Sequence, residues 1–159
     1  RRESAFNIKA KSPKGARGLM QLMPRTASKI QKDHRLRYGN VHKLYSLNLN
    51  LELGQKFLKS LFENNKTKRS IVESLIAYNA GIKRLNKWHK LKEKNGPIEY
   101  IESIPIRETR WFVKYILTDL WIYRDKLGQN KPTRELLAQN KWPIFKNIDF
   151  IQTANAKNR

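Results

Sequence analysis

The sequence predicts one mostly α-helical domain, and three observations support that prediction. First, the apolar residues of its longer segments recur at three- and four-residue steps, which is the spacing of one helix face. Second, a glycine ends two of these segments, at the position where helices commonly stop. Third, the only stretch that alternates like a strand has no partner with the same pattern. At 159 residues and 39% hydrophobic content, the chain can bury one core.

The predicted helices lie in three places. Residues 68–80 carry one apolar face and are followed by Gly81, and residues 107–128 repeat the pattern up to a terminal glycine. A third helix is expected over residues 51–62, where phenylalanine and leucine form an apolar stripe. The alternating segment SLNLNLEL, residues 46–53, is interpreted as a loop leading into that helix, because an unpaired strand is unstable.

The domain is predicted to cover residues 1–150, followed by a frayed tail at residues 151–159, which offer little to bury.

The chain contains no apolar run near eighteen residues, so no transmembrane segment is expected. It shows no leader pattern and begins without methionine, so upstream helical residues and an export signal are expected outside this sequence. With no cysteine, it can form neither disulfides nor thiolate metal sites.

The chain has a formal charge of +21, from 34 basic and 13 acidic side chains. Such a charge favours polyanionic partners: nucleic acid, anionic lipid or acidic cell-wall polymer. The basic residues are spread along the whole chain, however, and no nucleic-acid motif accompanies them. A solvated basic surface is the simpler interpretation, and no nucleic-acid partner is expected.

Candidate catalytic groups are few. The opening stretch RRESAFN contains Glu3, the only acidic residue among the first thirty. The three histidines lack metal-ligand spacing, so no metal is expected, and no nucleophile elbow, P-loop or dinucleotide fingerprint is present. These residues alone leave open whether Glu3 is neutralised by the neighbouring arginines or serves chemistry.

Three further segments contain unusual combinations of residues: KSPKGARGLMQLMP at 11–24, AYNAG at 77–81 and YIESIPIRETRWFVKYIL at 100–117. Taken singly, each is more often a structural loop or a helix end than a site. In this order, after Glu-Ser at 3–4, they resemble the successive motifs of the catalytic domain of soluble lytic murein transglycosylases. The resemblance covers about residues 1–140.

This resemblance implies a goose-type, lysozyme-like α fold with a saccharide groove. It implies cleavage of the β-1,4 bond between N-acetylmuramic acid and N-acetylglucosamine, with Glu3 as the sole catalytic acid/base. Six positions correspond to substrate-binding residues of the groove: Ser12, Met20, Gln21, Tyr78, Asn79 and Glu102. The implied partner is the peptidoglycan glycan strand, in the periplasm or cell envelope of a bacterium, with a monomeric enzyme and no cofactor.

The residues are compatible with a one-carboxylate mechanism, because the acids that follow Glu3, at positions 33 and 52, lie outside the motif segments. The muramic N-acetyl group can stabilise the reacting centre, and its 6-hydroxyl can attack in place of water. Glu3 would then act first as acid and later as base, giving a 1,6-anhydromuramic end. The acid role needs an apolar wall that raises the pKa of Glu3. The expected wall residues are Met20, Met23 and Tyr78.

The sequence also departs from the family pattern. Arg2 stands where a glutamine usually precedes the catalytic glutamate, and Ser46 and Leu47 replace a common Asp-Pro. The family places its catalytic glutamate near the end of a helix, which the two residues before Glu3 cannot nucleate. Two alternatives therefore remain open: a peptidoglycan hydrolase of the goose-lysozyme kind, and a non-catalytic basic binding module.

Overall fold

A computed structural model describes residues 3–92 and 95–145, and within them the regular structure is helical, with isolated bridges in place of strands. The α-helices are α1 (Pro24–Gln31), α2 (Leu47–Phe62), α3 (Ile71–Ala80), α4 (Ile82–Lys92), α5 (Pro97–Ser103), α6 (Arg107–Lys126) and α7 (Pro132–Ala138). Two 3-10 helices, His34–Leu36 and Val41–Tyr45, lie between α1 and α2. The mostly α-helical prediction is thus confirmed.

The chain divides into two compact units, Arg1–Ser60 and Leu61–Arg159. The predicted tail, residues 151–159, lies outside the described residues. None of the described helices is both long enough and apolar enough to cross a membrane.

In the first unit, helix α2 begins at Leu47, so the prediction that residues 46–53 form a loop is wrong. Buried Asn50 explains the early start. Its amide nitrogen donates to the carbonyls of Arg17 and Leu44 at 3.1 and 2.8 Å, and its Oδ1 accepts from the Met20 N–H at 2.7 Å. The alternation of leucines was misleading because Leu47, which it assigns to the core, is 45% exposed, whereas the polar Asn50 is buried.

In the second unit, helix α3 lies at the centre of the packing, against α4 and α6. It starts at Ile71, three residues later than predicted, because Ser70 caps it and accepts from the Glu73 N–H at 3.3 Å. Gly81 ends it as predicted, with φ 87°. Every residue from Ile71 to Ala77 is buried, so this helix is enclosed on all sides and the prediction of a single apolar face is too narrow.

Helix α6 confirms the prediction for residues 107–128, since it runs from Arg107 to Lys126 and buries Val113 and Leu117. The segment after α7 returns to the start of α3. There the Ile71 N–H donates to the Pro143 carbonyl at 3.0 Å, and the Phe145 N–H donates to the Arg69 carbonyl at 2.7 Å. These bonds attach the end of the described chain to the central helix.

Candidate active site

Glu3 lies half-buried in a turn rather than in a helix. The Asn7 N–H donates to the Ser4 carbonyl at 2.9 Å and closes the turn that follows Glu3. Ala5 and Phe6 have φ values of 50° and 64°, in the left-handed region that non-glycine residues rarely adopt. The segment after Glu3 therefore holds a strained conformation, of the kind that clusters at functional sites. Residues 1 and 2 lie outside the described part of the chain.

Ser12 closes a tight loop with Ala16. The Ser12 hydroxyl accepts from the Ala16 N–H at 3.0 Å, and the Ser12 N–H donates to the Ala16 carbonyl at 3.0 Å. Gly15 completes the turn with φ 88°, a value that suits glycine. The Ser12 side chain thus has a structural contact in addition to its predicted substrate role.

Gln21 is fixed to the loop that precedes it. Its Nε2 donates to the Ala10 carbonyl at 3.2 Å and to the Gly18 carbonyl at 2.7 Å. Its backbone is left-handed, with φ 44°. These bonds set the direction of the side-chain amide, so its orientation is determined before any ligand binds.

Met20 is held by helix α2. Its N–H donates to buried Asn50, and its side chain lies over Gly54, where an added Cβ would come within 2.7 Å of Met20 Cγ. Gly54 therefore provides the space in which Met20 packs. Of the two methionines expected in the apolar wall, Met20 is half-buried but Met23 is 41% exposed, so Met23 is poorly placed to exclude water.

In the second unit, helix α6 anchors Tyr78 and Asn79. The hydroxyl of buried Thr109 donates to Asn79 Oδ1 at 2.7 Å. The Tyr78 ring stacks on Phe112 with 6.3 Å between centroids and an angle of 8°. Both predicted groove residues are half-buried in the last turn of α3, and both contact α6.

Glu102 lies near the end of α5, with its side chain 54% exposed. Its Oε1 lies 2.9 Å from the Lys114 Nζ, and its carbonyl accepts from Arg110 Nη1 at 2.8 Å. An ion pair this exposed contributes little to stability. Glu102 is thus accessible to a ligand that competes with Lys114.

The predicted site residues therefore fall into two groups. Glu3, Ser12, Met20 and Gln21 belong to the first unit, and Tyr78, Asn79 and Glu102 belong to the second. Asn50 and Thr109, which hold members of these groups, were not found by sequence reasoning. Neither carries a motif signal, because their roles depend on contacts with residues about thirty positions away.

A buried charged cluster was also missed. Glu73 is fully buried, with Lys92 Nζ at 2.7 Å and His89 Nδ1 at 3.3 Å. Burial and the Glu73 charge raise the pKa of Tyr100 well above its usual value. Lys92 also lies 4.2 Å from the centroid of the Trp142 ring. An acidic residue inside the apolar run before AYNAG is the signal that could have revealed this cluster.

Comparison with known proteins places these features in a family. Residues 1–101 match the Transglycosylase SLT domain. Over 146 residues the chain is 38% identical to the soluble lytic murein transglycosylase of Escherichia coli K12 and 36% identical to that of Salmonella typhimurium. Both alignments cover 89% of this chain but 22% of the relative.

Solved structures show the same likeness. The 70-kDa soluble lytic transglycosylase of Escherichia coli matches with a TM-score of 0.71 and 35% identity. An inactive variant of the lytic transglycosylase Slt from Pseudomonas aeruginosa matches with a TM-score of 0.72 and 32% identity. Each match covers 92% of this chain and 23% of the other. These matches confirm the predicted fold class, and the chain spans less than a quarter of the length of these relatives.

Proposed function

Because the chain belongs to the Transglycosylase SLT domain family, we propose that it is a peptidoglycan lytic transglycosylase. The proposed reaction cleaves the β-1,4 bond between N-acetylmuramic acid and N-acetylglucosamine and leaves a 1,6-anhydromuramic end. The observation that carries the proposal is the extent of the family match, because residues 1–101 include Glu3, Gln21 and the pair Tyr78 and Asn79.

Glu3 is the proposed acid/base. Its carboxyl group first donates a proton to the glycosidic oxygen while the bond between that oxygen and C1 of muramic acid breaks. The N-acetyl carbonyl of the same sugar stabilises the positive charge at C1. The 6-hydroxyl oxygen then bonds to C1, and its proton passes to the Glu3 carboxylate. Glu3 is protonated again at the end, and no water is consumed.

The local structure of Glu3 supports this role. The residue is half-buried, so it is partly shielded from water. A neutral carboxyl group is the form that can donate a proton to the leaving oxygen. The left-handed residues Ala5 and Phe6 restrict the chain directly after it, which limits the positions open to the side chain.

Six further residues are proposed to bind the glycan strand: Ser12, Met20, Gln21, Tyr78, Asn79 and Glu102. The contacts of Gln21 and Asn79 support this assignment, because a side chain already held by hydrogen bonds loses less entropy when a ligand binds. The Gln21 amide is held by two carbonyls, and the Asn79 amide is held by Thr109.

The proposed substrate determines where the protein would act. A protein that cuts peptidoglycan strands must reach them, so we place it in the periplasm or cell envelope of a bacterium, acting as a monomer. The proposed steps use one carboxyl group and the substrate's own N-acetyl and hydroxyl groups, so no cofactor takes part in them.

The experiment that tests the function is digestion of purified peptidoglycan, with the released products weighed by mass spectrometry. Products with anhydro ends, lighter by one water than the hydrolysed form, are the expected result. Glu3→Gln should abolish their release. Glu52→Gln, which alters an exposed carboxylate paired with Lys56 on α2, is the matched control and should leave the rate unchanged.

Other outcomes contradict specific parts of the proposal. Products with reducing ends would identify a hydrolase and would contradict the proposed anhydro product. Full activity in Glu3→Gln would remove the acid/base assignment. If the wild-type protein bound peptidoglycan but released nothing, a non-catalytic binding module would replace the proposed enzyme.

A further inference from the structure

The exposed face of helix α4 carries three lysines, Lys83, Lys87 and Lys90, which we call the lysine stripe. Their spacing of four and three residues places them within about 60° of one another and along about 10 Å of the helix axis. The opposite face of the helix is buried through Leu85 and Trp88. The stripe therefore points away from the packed side of α4.

Acidic partners distinguish some lysines of this unit from the lysine stripe. Lys92 lies 2.7 Å from Glu73, and Lys114 lies 2.9 Å from Glu102. In contrast, no carboxylate within residues 3–92 and 95–145 forms an ion pair with the stripe. Like charges three and four residues apart repel one another and oppose helix formation. An anion bound along this face would remove that repulsion.

The stripe begins close in sequence to the proposed substrate-binding residues. Asn79 and Lys83 are four residues apart, with Gly81 joining α3 to α4 between them. Arg84 strengthens this junction, because its Nη1 donates to the Ala80 carbonyl at 3.3 Å. A glycan strand held at Tyr78 and Asn79 therefore has the Lys83 backbone within about 14 Å, the longest span of four residues.

We propose that the lysine stripe binds the carboxylates of the peptide stems carried by a peptidoglycan strand held at Tyr78 and Asn79. This inference rests on the proposed function. The N-acetyl sugars of the strand are neutral, whereas its peptide stems end in carboxylates, so the stems are the part of the substrate that matches a row of ammonium groups. Exposed ion pairs are screened by salt, so this contact is salt-sensitive.

Binding is measured in the Glu3→Gln background, so that the substrate is not consumed. The probes are isolated peptidoglycan and the same glycan after enzymatic removal of its stems. The test variant combines Lys83→Gln, Lys87→Gln and Lys90→Gln. The matched control combines Lys29→Gln, Lys66→Gln and Lys126→Gln, which remove the same charge from exposed, scattered positions.

The stripe variant should bind stem-bearing peptidoglycan about tenfold more weakly at low salt, since each exposed ion pair contributes modestly. It should bind stem-free glycan as the parent protein does. The scattered control should change by less than about twofold, because its three lysines do not form a row along one helix face. The difference should disappear at about 0.5 M NaCl, where screening is strong. The stripe variant should melt no lower than the parent, because like-charge repulsion is removed.

Three results would overturn the inference: an equal loss on stem-free glycan, an equal loss in the scattered control, or no loss at all. Product analysis of the wild-type protein separates this failure from that of the proposed function. If anhydro products form and the stripe variant binds normally, only the stripe assignment fails. If no products form, the proposed function fails whatever the binding shows.

Discussion

At the scale of single residues, the candidate site depends on buried polar side chains that hold the predicted site residues in place. Asn50 makes three hydrogen bonds, which join helix α2 to the carbonyls of Arg17 and Leu44 and to the Met20 N–H. Gly18 makes this approach possible, because an added Cβ there would lie 2.4 Å from Asn50 Nδ2. The loop that holds Gln21 is thus ordered by a residue about thirty positions along the chain.

Replacing Asn50 tests this dependence. Asn50→Ala leaves one buried and two part-buried backbone groups without their partner and should lower the free energy of unfolding by about 3 kcal/mol. It should also slow peptidoglycan digestion, since the Met20 and Gln21 loop loses its anchor. Urea denaturation and the product assay measure the two effects.

Asn48→Ala is the control for Asn50→Ala, because Asn48 is exposed on the same helix. Its stability should stay within about 0.5 kcal/mol of the wild type. Equal stability of the two variants would show that the Asn50 bonds do not hold the loop.

The buried cluster around Glu73 illustrates a different limit of residue-level prediction. A carboxylate loses its hydration on burial and needs a close cation in compensation, which Lys92 provides from α4. His89, on the same helix, places its Nδ1 3.3 Å from the other carboxylate oxygen. The sequence shows only that His89 lacks metal-ligand spacing to the other histidines. Its contact with Glu73 depends on the packing of α3 against α4, which no local pattern encodes.

At the scale of elements, sequence periodicity predicted the helices whose ends are marked by glycine. Helix α3 ends at Gly81 and helix α6 ends just before Gly128, both as expected. The start of α2 was missed because the buried residue of its first turn is the polar Asn50, which a hydrophobic pattern does not count. Helix α4 was not predicted, since its charged sequence buries only Leu85 and Trp88.

The candidate site, like the helices, could be predicted from the sequence only in part. The order of motifs supplied the candidate residues through the family resemblance, but it could not supply their geometry. The left-handed backbone at Gln21 and the bond from Thr109 to Asn79 arise from tertiary packing. The helix and strand propensities of the neighbouring residues predict neither this backbone conformation nor this hydrogen bond.

The end of helix α1 offers a test at this scale. Lys32 caps the helix in the left-handed region, with φ 56° and its N–H donating to the Ser28 carbonyl. Glycine adopts this conformation without strain, so Lys32→Gly should raise the free energy of unfolding by about 1 kcal/mol. Lys29→Gly, inside the same helix, should lower it by about 1 kcal/mol. Urea denaturation of both variants measures the contrast, and the same sign in both would contradict the cap geometry.

At the scale of the whole molecule, the charge of +21 sets how stability responds to salt. Self-repulsion of this size opposes the folded state, and dissolved salt screens it. The close pair of Glu73 and Lys92 is screened much less, because Glu73 is fully buried. Repulsion among exposed lysines and arginines therefore dominates the salt response of the folded protein.

Salt should accordingly stabilise this protein. Raising NaCl from about 50 to 500 mM should increase the melting temperature by roughly 3 °C, which corresponds to about 1 kcal/mol for a chain of this length. The scattered variant with Gln at positions 29, 66 and 126 carries three fewer charges, so its melting temperature should rise less over the same range. A fall with salt would mean that exposed ion pairs such as Lys114 with Glu102 outweigh the repulsion.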